Sequence, residues 1–520
     1  MSRDSGLSSA EAAPYEARTV WILLASVFLI ATCGLIYELI AGTLASYLLG
    51  DSVTQFSTVI GVYLFAMGVG SWLSKYVTQK LALVFVQVEI MIGLVGGCSA
   101  ALLFMMFESV TTFRVLLYSL VMMTGILAGL EIPLLLRLLK DRIEFKDLVA
   151  RVLSLDYVGA LLASLLFPLL LVPHLGLMRS SFLFGFLNAL VGLGALMLLR
   201  REIAWWKGLL VEAVVVLGIL LSGFVYAERL MEWSEERWYA GEKVIFSKPS
   251  AYQRMVLTRS QDDLRLYLNG NLQFSSRDEY RYHESLVHPA MVRMPERGLH
   301  VLILGGGDGL ALREVLKHER VEKVTLVDLD PAMTELFSTH PLLTSLNKGA
   351  MKSGKVTVKN ADAFTWVDEA TEKYDGAIID FPDPSSFSLG KLYTETFYRR
   401  LAKVLTPDAV VAVQTTSPMF ARRSFWCVDG TMRACGFETL PYHAYVPSFG
   451  EWGFILASKG QRREVSPLPL PEGLKFLTEE GFGLMKHFPP DMARVETEVN
   501  KLNNQVLVRM FEGEWGRYAN

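Results

Sequence analysis

The feature that most constrains this chain is a succession of long apolar runs through its first 230 residues. They are roughly Trp21 to Leu49, Val53 to Leu73, Leu81 to Phe107, Val115 to Leu139, Val149 to Val172, Ser180 to Leu199 and Gly208 to Ala227. A hydrocarbon layer of roughly 30 Å takes about 20 helical residues to cross, and each run meets that length. The expectation is an N-terminal all-α, multi-pass transmembrane bundle of about seven helices over residues 19–228, with 1–18 ahead of it. The first run is too long, and its flanks too ordinary, for a cleaved signal peptide. A hydrophobic share of 52% over 520 residues agrees, being too high for an ordinary soluble enzyme. A net charge of −3 without a long basic run excludes a phosphate-dominated nucleic-acid surface. Cys33, Cys98, Cys427 and Cys435 lack CxxC spacing, so neither a disulfide framework nor a zinc site is indicated, and no metal constellation is visible.

From Glu228 the composition turns charged and aromatic, and after Tyr252 the period shortens to alternating runs such as MVLT and LRLYLNGNLQF. This predicts a β-hairpin subdomain and entry helix over residues 240–298. Beyond Leu299, strand-like runs (HVLILG, KVTLVDLD, KVTVKN, YDGAIID, AVVAVQT) alternate with helix-like ones, the pattern of a parallel sheet covered on both faces. Residues 299–460 are therefore read as an α/β doubly wound, Rossmann-like domain of the methyltransferase type. A PLPLP linker near Pro467 leads into a short, mostly helical tail, completing a segment 461–520.

VLILGGGDGLALREVL, from Val301 to Leu316, places Gly305, Gly306, Gly307 and Gly309 between a buried strand and a helix, where the backbone turns tightly and a ligand approaches the helix N-terminus. Asp328, about 20 residues on, either accepts ribose hydroxyls or caps the helix opening at Pro331. Asp362, with Ala363, either receives an adenine amine or forms an Asx turn. Asp308 sits inside the glycine turn, where its charge repels pyrophosphate and the carboxylate of ordinary S-adenosylmethionine but attracts an ammonium group. The implied ligand is an adenosine with a cationic tail. YDGAIIDFPDPSS adds Asp380 and Asp383, either helix caps or members of one acidic cleft at the carboxyl ends of the strands. A pocket so acidic suits a diamine.

Taken together, AYQ at Ala251 to Gln253, LNGNLQFSSRDEYRYHE from Leu268 to Glu284, GGGDG, VDLD, NADA and DFPDP resemble the polyamine aminopropyltransferases, specifically the spermidine synthases, over roughly Ser250 to Lys459. The membrane half resembles the multi-pass members, as in GLIYELIAGTLASYLLG from Gly34. The resemblance implies transfer of the aminopropyl group of decarboxylated S-adenosylmethionine, a co-substrate rather than a cofactor, to putrescine, giving spermidine and methylthioadenosine. It implies that Gln253 contacts the thioadenosine and that His283 and Asp308 hold the amine-bearing chains. Asp328 then takes the ribose, and Asp362 and Ala363 the adenine. Asp380 accepts the proton, with Tyr282 positioning the nucleophile, and Asp383 helps hold the polyamine. A homodimer is the assembly it implies. Asp328 replaces the family's usual glutamate, and Phe387 stands where its gate loop often has proline. VPSFGEW from Val446 to Trp452 is longer than the familiar tyrosine-containing turn, which leaves Tyr445 or Tyr442 as the substitute in the acceptor pocket. The rivals are a methyltransferase using ordinary S-adenosylmethionine and a non-catalytic membrane polyamine sensor or transporter.

In the membrane half, cations gather in alternate loops, at Lys75 and Lys80, from Arg137 to Arg151, and at Arg200, Arg201 and Lys207. That bias places the N-terminus in the cytoplasm. Seven crossings then put the catalytic domain outside, whereas its donor is made in the cytosol. A cytoplasmic catalytic domain is preferred, with one segment, the last and its Glu212, not fully crossing. Glu38, Glu89, Glu131 and Asp156 are read as protonated acids bonding neighbouring helices in preference to a polyamine path. Gly61, Gly68 and Gly70 are read as sites of close helix packing.

Overall fold

A computed structural model of the chain describes residues 17–49, 52–106, 110–140, 143–239, 241–250, 252–460, 465 and 468–516. Residues 1–16, Phe107, Arg142, Ala251 and Pro467, which figure in the readings above, lie outside the described residues. The chain divides into two compact units, Met1–Ala240 and Gly241–Asn520.

The first unit holds α1 (Ala17–Leu49), α2 (Ser52–Leu73), α3 (Leu81–Met105), α4 (Val110–Leu139), α5 (Phe145–Leu166), α6 (Val172–Leu199) and α7 (Trp206–Trp238). Among the described residues six apolar helical stretches are long enough to cross a membrane, and the fifth runs for 55 residues, Phe145–Leu199, through α5 and α6. That stretch doubles back. Gly176 breaks the helical backbone at φ 72° and ψ 174°. Thr32 of α1 donates to the Gly159 carbonyl of α5 at 3.2 Å, while the adjacent Cys33 reaches the Phe184 carbonyl of α6 at 3.5 Å. A straight helix would separate residues 159 and 184 by about 38 Å at 1.5 Å per residue, so both can meet neighbouring turns of α1 only in a hairpin.

Small residues let these helices approach. A methyl group on Gly93 would stand 2.7 Å from the Gly185 carbonyl oxygen, and one on Gly129 2.1 Å from that of Met67. Gly70 packs against Ile126 of α4 in the same way, but Gly61 and Gly68 face outward with nothing within 4 Å of an added methyl. Their expected packing role is therefore corrected: they lie on the exposed side of α2. Of the acids, buried Glu89 accepts from Asn188 Nδ2 at 3.0 Å, tying α3 to α6. Glu212 near the start of α7 accepts from Gln87 Nε2 at 2.5 Å.

The second unit opens with an antiparallel meander of β1 (Lys243–Pro249), β2 (Arg254–Ser260), β3 (Asp263–Leu268) and β4 (Asn271–Ser275). Asn269 and Gly270, at φ 50° and 79°, make the two-residue turn between β3 and β4, the positive-φ dipeptide that a tight hairpin needs. Helix α8 (Glu279–Met291) then leads into β5 (Leu299–Gly305), α9 (Leu310–Val315), β6 (Val321–Asp328), β7 (Val356–Asn360), β8 (Tyr374–Asp380), β9 (Leu405–Gln414), β10 (Glu438–Val446) and β11 (Gly450–Ser458). The seven strands lie in the order β10-β11-β9-β8-β5-β6-β7. β5 to β9 are parallel, and β11 joins β9 antiparallel. Aliphatic side chains alternate to both faces of this sheet and feed one apolar cluster on each side, which leaves the carboxyl ends of the strands as the place for polar chemistry. The chain turns to opposite sides of β5, putting β6 on one side and β8 on the other, and a crevice opens at that switch point.

The tail is less helical than its sequence suggests. Among the described residues from 468 onward, only Glu479–Met485 and Val506–Trp515 are helices, and Pro471, Pro489 and Pro490 punctuate the rest. Glu284 anchors this strap, accepting backbone N–H groups of Lys475, Phe476 and Leu477 at 2.8, 2.9 and 2.9 Å. The glutamate of the YHE motif is thus structural.

Candidate active site

The loop after β5 is built by necessity from glycine. Gly305, Gly306 and Gly309 have φ of 79°, 63° and 72°, and a methyl on Gly305 would press to 2.2 Å of the Asp380 carbonyl oxygen. Gly307 is held differently. Its N–H donates to Asp328 Oδ2 at 3.0 Å, and a methyl there would come within 2.7 Å of that carboxylate. The other oxygen of Asp328 accepts from Asp330 N at 2.9 Å. Asp330, not Asp328, caps the helix Pro331–Thr339 by accepting from Ala332 N at 3.0 Å. Asp330 also accepts from Gln253 Nε2 at 3.0 Å, so the β1–β2 turn is tied to the end of β6 and Gln253 is brought to the same side of the crevice as Asp328.

Asp362 caps the helix Ala363–Glu369, accepting from Phe364 N at 2.9 Å, and its second oxygen pairs with Lys391 Nζ at 2.5 Å. Asp362 thus makes an Asx turn, and Ala363 beside it is buried.

Three groups from separate elements converge at the switch point. His283 of α8, Asp308 of the glycine loop and Asp380 at the end of β8 each place a polar atom within 4.8 Å of the others, close enough to share one cation. Asp308 Oδ1 accepts from Leu310 N at 2.8 Å, and Asp380 Oδ1 accepts from the Tyr282 hydroxyl at 2.5 Å. Burial pushes Asp308 up to about 6 against the opposing pull of His283. The same desolvation raises Asp380, offset by His283 and the Tyr282 hydroxyl, and lifts Asp328 to about 6. Asp383 follows two residues beyond a buried Phe381. Burial raises it to about 7 against Thr416, whose hydroxyl is 3.4 Å from Oδ2, while Oδ1 is buried without a hydrogen-bond partner. Carboxyl groups this short of water gain by meeting an ammonium ion.

Residues that the sequence reading missed complete the far wall. Gln414, ending β9, donates to Tyr393 Oη at 3.0 Å and to the Phe381 carbonyl, and accepts from Trp452 Nε1 at 3.1 Å. Phe449 and Phe454 set their rings 6.3 and 5.4 Å from that of Tyr282. Of the two tyrosine substitutes, Tyr442 is corrected out of the pocket. It is fully buried and donates to the Ser285 carbonyl at 2.8 Å. Tyr445 is 54% exposed, one strand position short of the turn in which Ser448 binds Asp278. The signal for Trp452 and Phe449 was the length of the β10–β11 turn, which carries aromatics where a single tyrosine was sought.

Residues 279–467 match the Spermine/spermidine synthase domain. Over 498 residues the chain is 54% identical to the polyamine aminopropyltransferase of Leptospira interrogans serogroup Icterohaemorrhagiae serovar copenhageni, covering 95% of this chain and 99% of that one. The chain belongs to the polyamine aminopropyltransferase family. Polyamine aminopropyltransferase 2 of Ralstonia nicotianae is 53% identical over 509 residues, again across 95% of this chain and 98% of that one. The similarity therefore spans the apolar helical unit as well as the second unit. A solved spermidine synthase in complex with the transition-state analogue AdoDATO is 29% identical, covering 48% of this chain and 86% of that one at a TM-score of 0.44. As an aminopropyltransferase the chain is an enzyme, and the methyltransferase and non-catalytic readings fall away.

Proposed function

We propose that this aminopropyltransferase uses decarboxylated S-adenosylmethionine as donor and putrescine as acceptor, releasing spermidine and methylthioadenosine, without a cofactor. The observation that carries the reading is Asp308. A half-buried acid in the turn that faces the donor's tail suits a terminal ammonium and disfavours the carboxylate of the undecarboxylated compound. Asp328, Gln253, Asp362 and Ala363 line the side assigned to the nucleoside. Gly305 and Gly307 let the backbone come close to it. Asp380, Asp383 and His283 face the amines.

Sulfonium sulfur is already a good leaving group, so the protein's task is alignment. An alkylamine is protonated at neutral pH, with a pKa near ~10.4, and has no lone pair to offer. Asp380, held by the Tyr282 hydroxyl, receives that proton. The freed nitrogen pair forms a bond to the methylene beside sulfur, the carbon–sulfur bond breaks, and its electrons neutralise the sulfonium. Asp383, with its unpartnered oxygen, holds the distal ammonium of the diamine. Incubating the purified protein with the donor and a panel of amines, then reading products by mass spectrometry, tests this. Aminopropylated putrescine supports it, and preference for another amine would overturn the acceptor.

The helical unit is proposed to lie in a lipid bilayer with the catalytic unit on the cytoplasmic side, where the donor is made. The apolar length of α7, Trp206–Ser234, is that of a full crossing and not the partial one expected of it; a cytoplasmic catalytic unit then puts the cation-rich loops on the outer face, against their charge bias. A reporter fused after Tyr239 and another in the loop at Lys80 test the arrangement, and a catalytic-side reporter reading outside would refute it. A homodimer is proposed on the family resemblance, to be checked by light scattering in detergent.

A further inference from the structure

Behind His283 lies a run of buried charged groups that the chemistry above does not use. Glu279 opens α8 and is 4% exposed, and its Oε2 stands 2.8 Å from His283 Nδ1, one helical turn on. The same ring nitrogen is 2.8 Å from the Glu279 carbonyl. Arg313 of α9, also buried, grips Glu279 through both branches of its guanidinium, Nη1 to Oε1 and Nη2 to Oε2, each at 2.9 Å. Its Nε donates to Glu314 at 2.8 Å, and Glu314 in turn meets His288 at 3.0 Å and Lys317 at 2.5 Å. Arg313 Nη1 additionally donates to the Leu346 carbonyl at 3.0 Å.

A planar fork binding a carboxylate at two points fixes its orientation, which a single lysine contact would not. Glu279 in turn fixes the His283 ring. With Nδ1 held by Glu279, His283 also keeps a ring nitrogen within 4.8 Å of carboxylate oxygens of Asp308 and Asp380. Tyr282 packs its ring 5.0 Å from that of His283, while Glu284 on the same helix turns away to the tail.

We propose that Glu279, clamped by Arg313, is a positioning residue of the transfer site, holding His283 as the cation that keeps Asp308 and Asp380 ionised for the two incoming amines. The proposal rests on the aminopropyl-transfer reading above. The groups facing His283 agree in sign. Its desolvation favours the neutral ring, but Glu279, then Asp308 and Asp380, outweigh it and raise His283 to about 9. Glu279 is correspondingly held down to about 2 by His283 and Arg313, against its own burial. Without the Glu279 charge, burial leaves His283 neutral near pH 7, and the two aspartates retain protons to higher pH.

The test is Glu279→Gln in the full-length protein in detergent, assayed for aminopropyl transfer from pH 6 to 9.5. The expected result is a rise in the acidic limb of kcat by about one to two pH units, hence a roughly 10–100-fold loss at pH 7 that shrinks as pH rises. Glu279→Asp, which keeps the charge, is expected to restore the limb in part and serves if the glutamine variant does not fold. An equal loss at every pH, or an unmoved limb in both variants, would overturn the proposal. Wild-type protein is the control that separates the two ideas. If it yields no aminopropylated amine, the function fails and this inference with it; if it does while the limb stays put, only the role of Glu279 fails.

Discussion

Replacing Tyr282 by phenylalanine removes one oxygen and leaves the ring between Phe449 and Phe454 in place. The lost contact is the 2.5 Å bond to Asp380 Oδ1. A hydrogen bond to a charged, buried carboxylate is worth about 1.5–3 kcal/mol, and about 1.4 kcal/mol is tenfold in rate. A fall of roughly 10–100-fold in kcat at neutral pH is expected. Its pH dependence carries the sign. The hydroxyl favours the ionised acid, as His283 does, against the burial that raises Asp380. Without it Asp380 retains its proton to higher pH, so the acidic limb moves up and part of the loss returns toward pH 9. Michaelis curves for both substrates, taken by mass-spectrometric product counting across that range, separate the outcomes. Donor KM should stay within about threefold, because Tyr282 is placed on the acceptor's proton. A variant with wild-type kcat, or one whose whole defect lies in donor KM, would refute Asp380 as the proton acceptor.

Gly307→Ala pushes a methyl to 2.7 Å of the Asp328 carboxylate, so donor KM should rise by about tenfold or more with acceptor KM little changed; equal donor KM in a titration would remove Asp328 from the nucleoside side. For pH and stability, Asp308 and Asp328 are raised to about 6 and Asp383 to about 7. Groups raised in the fold contribute stability that is complete below their unfolded values near ~4 and lost as pH climbs through 6 to 7. The thermal midpoint of the ligand-free catalytic unit should accordingly fall between pH 5 and 8, and millimolar putrescine should recover part of it; a midpoint rising over that range would contradict the assignment. Because His283, Asp308 and Asp380 are close enough to share a cation, chelation is a separate test: EDTA should leave turnover unchanged, and a loss reversed by a divalent ion would mean that these three hold a metal.

What could be read from the sequence was set by local rules. The apolar runs announced their helices because length alone decides whether a segment can cross hydrocarbon. The glycine loop and the acids Asp308, Asp328 and Asp380 were readable because a doubly wound sheet places strand ends together whatever the connecting helices do. The cap at Pro331 was open to Asp328 as the alternative to ribose binding, and since Asp328 and Asp330 are two residues apart only the turn geometry shows that Asp330 reaches Ala332 N. Gly61 and Gly68 looked like Gly70, but which face of α2 meets α4 is a tertiary fact. Glu279 and Arg313 gave no signal as a pair, being 34 residues apart and joined only when α8 packs on α9. Gln414 and Trp452 were missed for the same reason, as β9 and β11 are neighbours only in the finished sheet.

The cleft's acids are an unusual investment for a sheet edge, since each gives up hydration that no fixed cation fully returns. Asp362 has Lys391 and Glu279 has Arg313. Asp308 and Asp380 share one buried histidine, His283, and Asp383 has only hydroxyl and amide neighbours. That imbalance is functional if the missing cations are the substrates. A diamine and an aminopropyl tail each bring the charge the site lacks, so the free energy withheld from the empty fold becomes available on binding. Ordinary S-adenosylmethionine brings a carboxylate to Asp308 as well as its ammonium, and loses there what the decarboxylated donor gains. The same acid count explains why His283 needs Glu279 behind it. A neutral imidazole would let Asp308 and Asp380 settle their repulsion by sharing protons, and a protonated Asp380 cannot accept one from the nucleophile.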